Sequence, residues 1–285
     1  MEAAAGAQEP LRLAENSEPR WWLMALLLLY TPAVIFPHES VQGLLARAVQ
    51  PIGLRAFYAI AAVVGGLWLV VLTGVLWRRV QSHAARGLLT RYWLLTLGLM
   101  VAAWQLLSVN NSELVHFPQY AISGFLLMLL TRHVTETLSW ITIAGSLDEG
   151  YQYAVLHPTW GIPFDFNDVY LDLLGGAAGC LLAAAFLRAV PGMGTHFRRA
   201  GIVVLTVVVA AGLVLVPFGK VVAYQDENQH HWIAMSRLRP KGFWFFDATW
   251  GPRRIHTLTP VEGPLLLAAT LAVFSLLDRR YRFQP

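Results

Sequence analysis

Three short stretches of this chain carry side chains that can move protons. Leu147-Asp148-Glu149-Gly150-Tyr151-Gln152 sets two adjacent carboxylates one turn before a glutamine. Phe164 through Asp172 contains Asp165, Asp168 and Asp172. Glu113, His116 and Tyr120 stand three and four residues apart. At helical spacing each set falls on one face: Asp148 with Gln152, Asp165 with Asp168 and Asp172, and Glu113 with His116 and Tyr120. Paired carboxyl groups roughly 5–10 Å apart, in environments that push their pKa values apart, are the acid/base machinery of glycoside hydrolysis. A partly buried Asp172 and a wetter Glu149 fit that pattern. His116 is an alternative general base, because its ordinary pKa lies near neutrality. The candidate catalytic residues are therefore Asp148, Glu149, Asp168, Asp172 and His116. The candidate substrate-binding residues are Glu113, Tyr120, Gln152 and Asp165, with Trp244 and Arg253 from a later loop.

Plainer roles exist for several of these. Asp165 suits a helix N-cap. His116 suits a satisfied helix-interface position, and Asp148-Glu149 a solvated helix end. Asp172 is the hardest to explain in such terms, since it lies inside an apolar segment one turn past Asp168. Two carboxylates at that spacing repel, so one is expected to be protonated, hydrogen-bonded or paired with His116. A divalent cation held by His116, Asp148, Glu149 and Asp168 is chemically possible, but no regular ligand spacing supports it, there or at Asp226, Glu227, His230 and His231. No cofactor is predicted: the chain has no Gly-rich phosphate loop and no GxSxG.

The elements that must position these groups are apolar. The 285 residues are 56% hydrophobic and 13% charged, where a soluble domain carries about 25% charged residues. Mean hydropathy is +0.51. The net charge of +4 does not point to nucleic acid, because the arginines cluster beside apolar segments, as topology control requires. A helix needs roughly 20 apolar residues to cross about 30 Å of hydrocarbon. Runs at 21–37, 56–77, 92–112, 117–131, 137–147, 173–187, 200–219 and 263–277 predict an all-α bundle of about eight transmembrane helices. The fifth run is short unless its helix continues through Asp148 to Tyr153.

Arginines at 78, 79, 86, 91, 132, 188, 198, 199, 279, 280 and 282 alternate with these runs. The positive-inside rule then places both termini in the cytoplasm. Segments 38–55, 108–116, 148–167 and 220–262 face outward, and the carboxylates lie at the outer face of a plasma (inner) membrane. Residues 1–20 read as a mobile polar tail without the basic start of a signal peptide. Residues 21–285 read as one membrane domain with its core at about 90–188. Gly175, Gly176 and Gly179 extend the Asp165–Asp172 stripe and permit close helix approach. The three polar faces are thus expected to turn toward one wet cavity.

Segment 220–262 is long for a connector. It interleaves Trp232, Phe243, Trp244, Phe245, Phe246 and Trp250 with Arg237, Arg239, Lys241, Arg253 and Arg254. Such a mixture suits a membrane interface, glycan stacking, or a lid that brings basic groups to the carboxylates. Segment 38–52 is expected to lie flat on the outer surface through Val41, Leu44, Leu45, Ala48 and Val49. The single cysteine, Cys180, excludes an internal disulfide.

Taken as an ordered set, His116-Phe117 with Tyr120, Asp148-Glu149 with Gln152, and Asp168-Val169 with Asp172 and Gly175 through Gly179 resemble the VanZ-like membrane protein family. That family is named for a protein linked to low-level teicoplanin resistance. The similarity covers about 113–179. Three positions depart from the pattern. Ser112-Glu113 replaces an Asp-Lys pair, Gly161-Ile162-Pro163 offers no arginine, and Asp172 stands where the family has asparagine. The resemblance implies an envelope-related membrane protein, and these departures make the present site more acidic. Three function classes follow. One is a hydrolase or transferase acting on an outer-leaflet glycolipid or polyprenyl-linked glycan. Another is a non-catalytic binder of a cell-wall precursor or glycopeptide-like ligand. The last is a proton-coupled transporter using Asp168 and Asp172 as relay groups.

Overall fold

The computed structural model describes residues 21–37, 43–44, 47, 49–109, 111–158, 164–192, 200–225, 230–237, 239, 242–244 and 254–284. The tail 1–20, most of 38–48, residues 159–163 and 193–199, and Arg253 lie outside the described residues. Nothing bears there on the expected tail, and too little of 38–52 remains to place it.

The chain is mostly helical. In order it forms α1 (Trp21–Ile35), α2 (Leu54–Val80), α3 (Arg86–Leu106), a 3-10 turn (Asn111–Val115), α4 (His116–Thr131) and α5 (Val134–Tyr151). A π-helical turn (Gln152–Leu156), α6 (Phe166–Ala184), α7 (Ala200–Leu215) and α8 (Glu262–Arg280) follow. The short fifth run does continue as a helix through Asp148 and Glu149, and the sixth helix begins seven residues before its apolar run. Among the described residues, three helices are long and apolar enough to cross a membrane: Leu54–Val80, Arg86–Leu106 and Asn111–Thr131. Shorter apolar helices are Trp21–Ile35 and Ala200–Leu215. α2 and α7 expose rows of large aliphatic side chains, among them Val63, Leu67, Val70, Val207, Val208 and Leu213. Faces of that size suit hydrocarbon rather than water.

The fold is not purely helical. β1 (Arg188–Pro191) pairs antiparallel with β4 (Tyr281–Gln284), Ala189 opposite Phe283. β2 (Val221–Val222) pairs in parallel with β3 (Ile233–Ala234). The first ladder forms because α6 and α8 end side by side. Their extended continuations satisfy each other's backbone groups and bury Ala189 and Phe283.

α6 is the central helix, with every residue from Val169 to Leu181 buried. It is packed by α3, α4, α5 and α8. Its contact with α4 is backbone on backbone. A Cβ added at Gly175 would sit 2.6 Å from the Phe117 carbonyl oxygen. One at Gly179 would overlap the Ala121 carbonyl, and one at Gly124 the Gly176 carbonyl. Across the other side of α6, Gly176 admits the Ile141 side chain of α5. The glycine stripe therefore sets how deeply α6 sinks between α4 and α5, as small residues do at membrane helix interfaces.

The end carrying Arg78, Arg79, Arg279 and Arg280 is tied by capping acids. Asp278 of α8 accepts from the Val134 amide (2.9 Å), the Thr135 amide (2.7 Å) and the Thr135 hydroxyl, and pairs with His133 (3.0 Å). Glu136 of α5 accepts from the Gly201 and Ile202 amides (2.8 and 3.3 Å) and from the Trp140 indole. Each acid satisfies orphan N–H groups at a helix start and meets the positive end of its dipole.

Gly179→Ala is expected to destabilise the fold by about 1–3 kcal/mol through overpacking. Gly98→Ala, where no atom stands within 4 Å, should leave the unfolding midpoint equal or higher. Denaturation of both variants in mixed micelles checks this.

Candidate functional site

The opposite end of the bundle gathers the first turn of α4, the last turn of α5 and the first two turns of α6. α4 begins at His116, so His116 and Tyr120 project one turn apart on the face toward α6. α6 begins after Asp165, whose carboxylate caps it by accepting from the Asn167 amide (2.9 Å). The three-and-four spacing then places Asp168 and Asp172 down the same face. Because the glycine stripe holds α4 against α6, the two faces meet.

His116 is the hub. Its Nδ1 lies 2.8 Å from Asp172 Oδ1, and its Nε2 lies 3.6 Å from Asp168 Oδ2. The imidazole and the Asp172 side chain are almost fully enclosed, whereas the Asp168 side chain keeps 18% of its surface. Asp172 Oδ2 is buried and, among the described residues, has no hydrogen-bond partner. It points at Gly145 of α5, where an added Cβ would stand 2.7 Å away. One turn beyond Gly145, Asp148 accepts from the Tyr120 hydroxyl (3.2 Å). Gln152, in the π turn, donates to Asp148 (3.2 Å) and Glu149 (2.9 Å). Asp148 and Glu149 are buried, so this is not a solvated helix end. π turns inside helices often mark functional positions, and this one carries the residue that ties the two carboxyls together.

Glu113 joins from the 3-10 turn, where its carboxylate accepts from the Val109 amide (2.8 Å) and faces Asp168 and Asp165. Asp165, at the mouth and outside α6, has its carboxyl pushed up to about 7. Burial is the main cause and the Asp168 charge adds to it, against the opposing amides of Asn167 and Asp168. The structure thus brings Glu113, His116, Tyr120, Asp148, Glu149, Gln152, Asp165, Asp168 and Asp172 into one assembly. Glu113, Gln152, Asp165 and Asp168 form a partly exposed rim, and the others form a buried floor. Among the described residues, no group of three or more His, Cys, Asp or Glu side chains is placed to hold a metal ion.

Trp244 is not part of this assembly. It is half exposed and packs edge-on against Phe243, whose ring stacks on His256 at 4.0 Å. Arg253 lies outside the described residues.

Three supporting residues are not singled out from the sequence as site residues, Arg237 being named only within the basic and aromatic segment 220–262. Asn167, fully buried, donates to the carbonyls of Leu107 (3.0 Å) and His256 (2.9 Å) and accepts from the Leu258 amide (2.8 Å). It thereby fastens the ends of α3 and α6 to the segment leading into α8. Arg237 donates to the carbonyls of Tyr153 and His157, both at 2.9 Å, and lies 3.8 Å over the Tyr153 ring. The long segment before α8 therefore does deliver a cation to this end, onto the π turn. Gly145 is the third, as the clearance for Asp172. A single glycine in a helical pattern carries no such signal; the Asn after an N-cap Asp carries only a faint one.

No protein-family model, no curated protein and no solved structure matches the chain.

Two outcomes follow. Asn167→Ala should cost about 1–3 kcal/mol for each buried group left unpaired, read as a lower unfolding midpoint and faster amide exchange at Leu258. Asp165, with its folded pKa raised, binds its proton more tightly when folded. Its contribution to stability is present at low pH and is lost as pH rises through about 7. Asp165→Asn should flatten that part of the stability profile measured between pH 5 and 8 (roughly one unit or more to either side).

Proposed function

We propose that the chain is a VanZ-like integral membrane protein of about eight spans, with both termini cytoplasmic and the acidic assembly at the outer face of the plasma membrane. In this reading α5, α6 and α8 join the three long apolar helices as spans, while α1 and α7 cross with short apolar cores. The arginine-rich end faces the cytoplasm. Support comes from the positive-inside pattern, from the exposed aliphatic faces of α2 and α7, and from the motif set around 113–179.

The assembly acts as an acid/base site on an outer-leaflet glycolipid or polyprenyl-linked glycan, by hydrolysis or transfer. One observation carries this reading: His116 is held at Nδ1 by the buried Asp172 while its Nε2 turns toward the rim, beside Asp168. A base oriented by a second, enclosed group and presented toward an opening is the general arrangement of acid/base and nucleophile activation. In this scheme His116 takes the proton from the attacking hydroxyl or water. Asp172 fixes the ring and stabilises the imidazolium that forms. Glu149, positioned by Gln152, returns a proton to the leaving oxygen, and Asp168 orients the substrate at the rim. Membrane lipids are the surrounding partners.

A proton-coupled relay is less well supported. Past Asp172, α6 continues through Leu, Gly and Ala, with Cys180 buried among them, and the acids at the other end are spent on helix caps.

Lipid mass spectrometry of membranes with and without the protein tests the reaction. A glycolipid or lipid-linked glycan should be depleted or a product should appear. Glu149→Gln, Asp168→Asn and His116→Asn should each lower that turnover by about 10²–10⁴-fold, the usual worth of a general acid or base. An unchanged lipid profile would overturn the enzyme. Ligand retention by an unreactive wild type would reassign the protein as a binder.

A further inference from the structure

At the arginine-rich end, three guanidinium groups from three different elements come together. β1 and β4 pair with Ala189 opposite Phe283, and both of these side chains are buried against the bundle. Alternation along a strand turns Arg188 and Arg282 to the outward face of the ladder, and both are exposed there. Arg188 stands opposite Gln284 and Val190 opposite Arg282. The two arginines are therefore diagonal neighbours, roughly 7–8 Å apart. Arg79, in the last turn of α2, is the third. Its guanidinium lies 4.4 Å over the ring of Phe186, two residues before Arg188. His83 fastens the turn after α2 to the same segment, with Nε2 2.7 Å from the Leu187 carbonyl oxygen. Guanidinium groups so placed repel one another. The acids Asp278 and Glu136 at this end are buried and accept from helix-start amides. An anion with several oxygens, such as a phosphate, matches the guanidinium fork and offsets the repulsion.

The neighbouring surface selects the kind of anion. Phe186 is exposed and packs edge-on against Phe125 of α4, at 6.1 Å. Ile122, about one turn farther from the arginine-rich end of α4, is exposed as well. Phe186, Phe125 and Ile122 thus form an apolar track that leaves the arginines and runs toward the middle of a helix long enough to span a membrane. On α2, exposed Trp77 directly precedes Arg78 and Arg79, the order expected at headgroup depth. An inorganic phosphate or an acidic peptide would meet the arginines and leave the track uncovered. A phospholipid meets both.

We propose that this face binds an anionic phospholipid, with its phosphodiester held by Arg79, Arg188 and Arg282 and an acyl chain laid along Phe186, Phe125 and Ile122. The proposal rests on the membrane placement given above and not on the acid/base reaction.

The full-length protein is placed in phosphatidylcholine nanodiscs that contain phosphatidylglycerol as the minor lipid. Lipids still attached after gentle release are counted by native mass spectrometry. Phosphatidylglycerol is expected to be enriched at least about tenfold over its share of the disc, and the enrichment should fall as salt is raised. Arg79→Gln, Arg188→Gln and Arg282→Gln should each lower it about fivefold, the usual worth of one basic group at an anionic surface. The three together should abolish it. Lys220→Gln, a cation at the acidic end, should leave it unchanged. Retention in proportion to disc composition, wild-type enrichment in the triple variant, or release of the lipid by equimolar glycerol phosphate or polyglutamate would each overturn the proposal. Failure to enter discs of any composition would remove the membrane placement and this site with it, whereas entry without enrichment would remove this site alone. Enrichment alongside an unchanged glycolipid profile would sink the enzyme and leave the lipid site standing.

Discussion

The backbone contact between α4 and α6 governs the rest of the structure. At Gly124, Gly175 and Gly179 an added Cβ would meet the facing backbone, so the two helices lie as close as their main chains allow. That closeness is what lets a histidine on α4 reach an aspartate on α6 at 2.8 Å. With ordinary side chains at the seam, the helix axes would stand farther apart, and His116 and Asp172 would each be buried without the other. In an apolar surrounding both would then be far more costly. The glycines do not touch the site; they set the spacing that makes it.

The acids divide into two uses with different physics. Asp278 and Glu136 sit at the starts of other helices and accept from several main-chain amides each. Their charge is absorbed by dipole ends and orphan N–H groups. At the other end Glu113 and Asp165 accept from main-chain amides, and the remaining acids have less relief. Only Asp165 caps a helix; Asp172 depends on one imidazole, and Glu149 on one amide side chain. Buried ionisable groups held by so few partners are where chemistry is expected rather than stability. The surrounding fixtures are well made by contrast. Asn167 has three hydrogen bonds, and Arg237 has two plus a ring contact. A firmly held frame around loosely compensated charge is the pattern of a preorganised site.

The two ends also differ in how the chain closes them. The arginine-rich end is locked by the β1–β4 ladder and by the Asp278 cap, both joining elements distant in sequence. The acidic end is closed by single side chains reaching across: Asn167 to 256–258, Arg237 to the π turn, and Tyr153 to the Ala234 carbonyl (2.9 Å). Each such strut rests on one side chain, whereas the other end is held by paired backbone and by a carboxylate shared among several donors.

Much of this was legible in the chain itself. Apolar runs located the helices, because hydrocarbon-facing segments must be long and uncharged. Three-and-four spacing put Glu113, His116 and Tyr120, and likewise Asp165, Asp168 and Asp172, on single faces, because helical geometry depends only on local spacing. Glycines at 175, 176 and 179 marked a close helix contact. The sequence could not state which residue lies opposite which. That His116 meets Asp172, that Gly145 makes space for its free oxygen, and that Asn167 and Arg237 brace the assembly are facts of helix depth and rotation. The β1–β4 ladder, too, joins segments that follow α6 and α8, nearly a hundred residues apart. Periodicity is a property of neighbours along the chain; partnership across helices comes from packing, and packing is decided by all the surfaces at once.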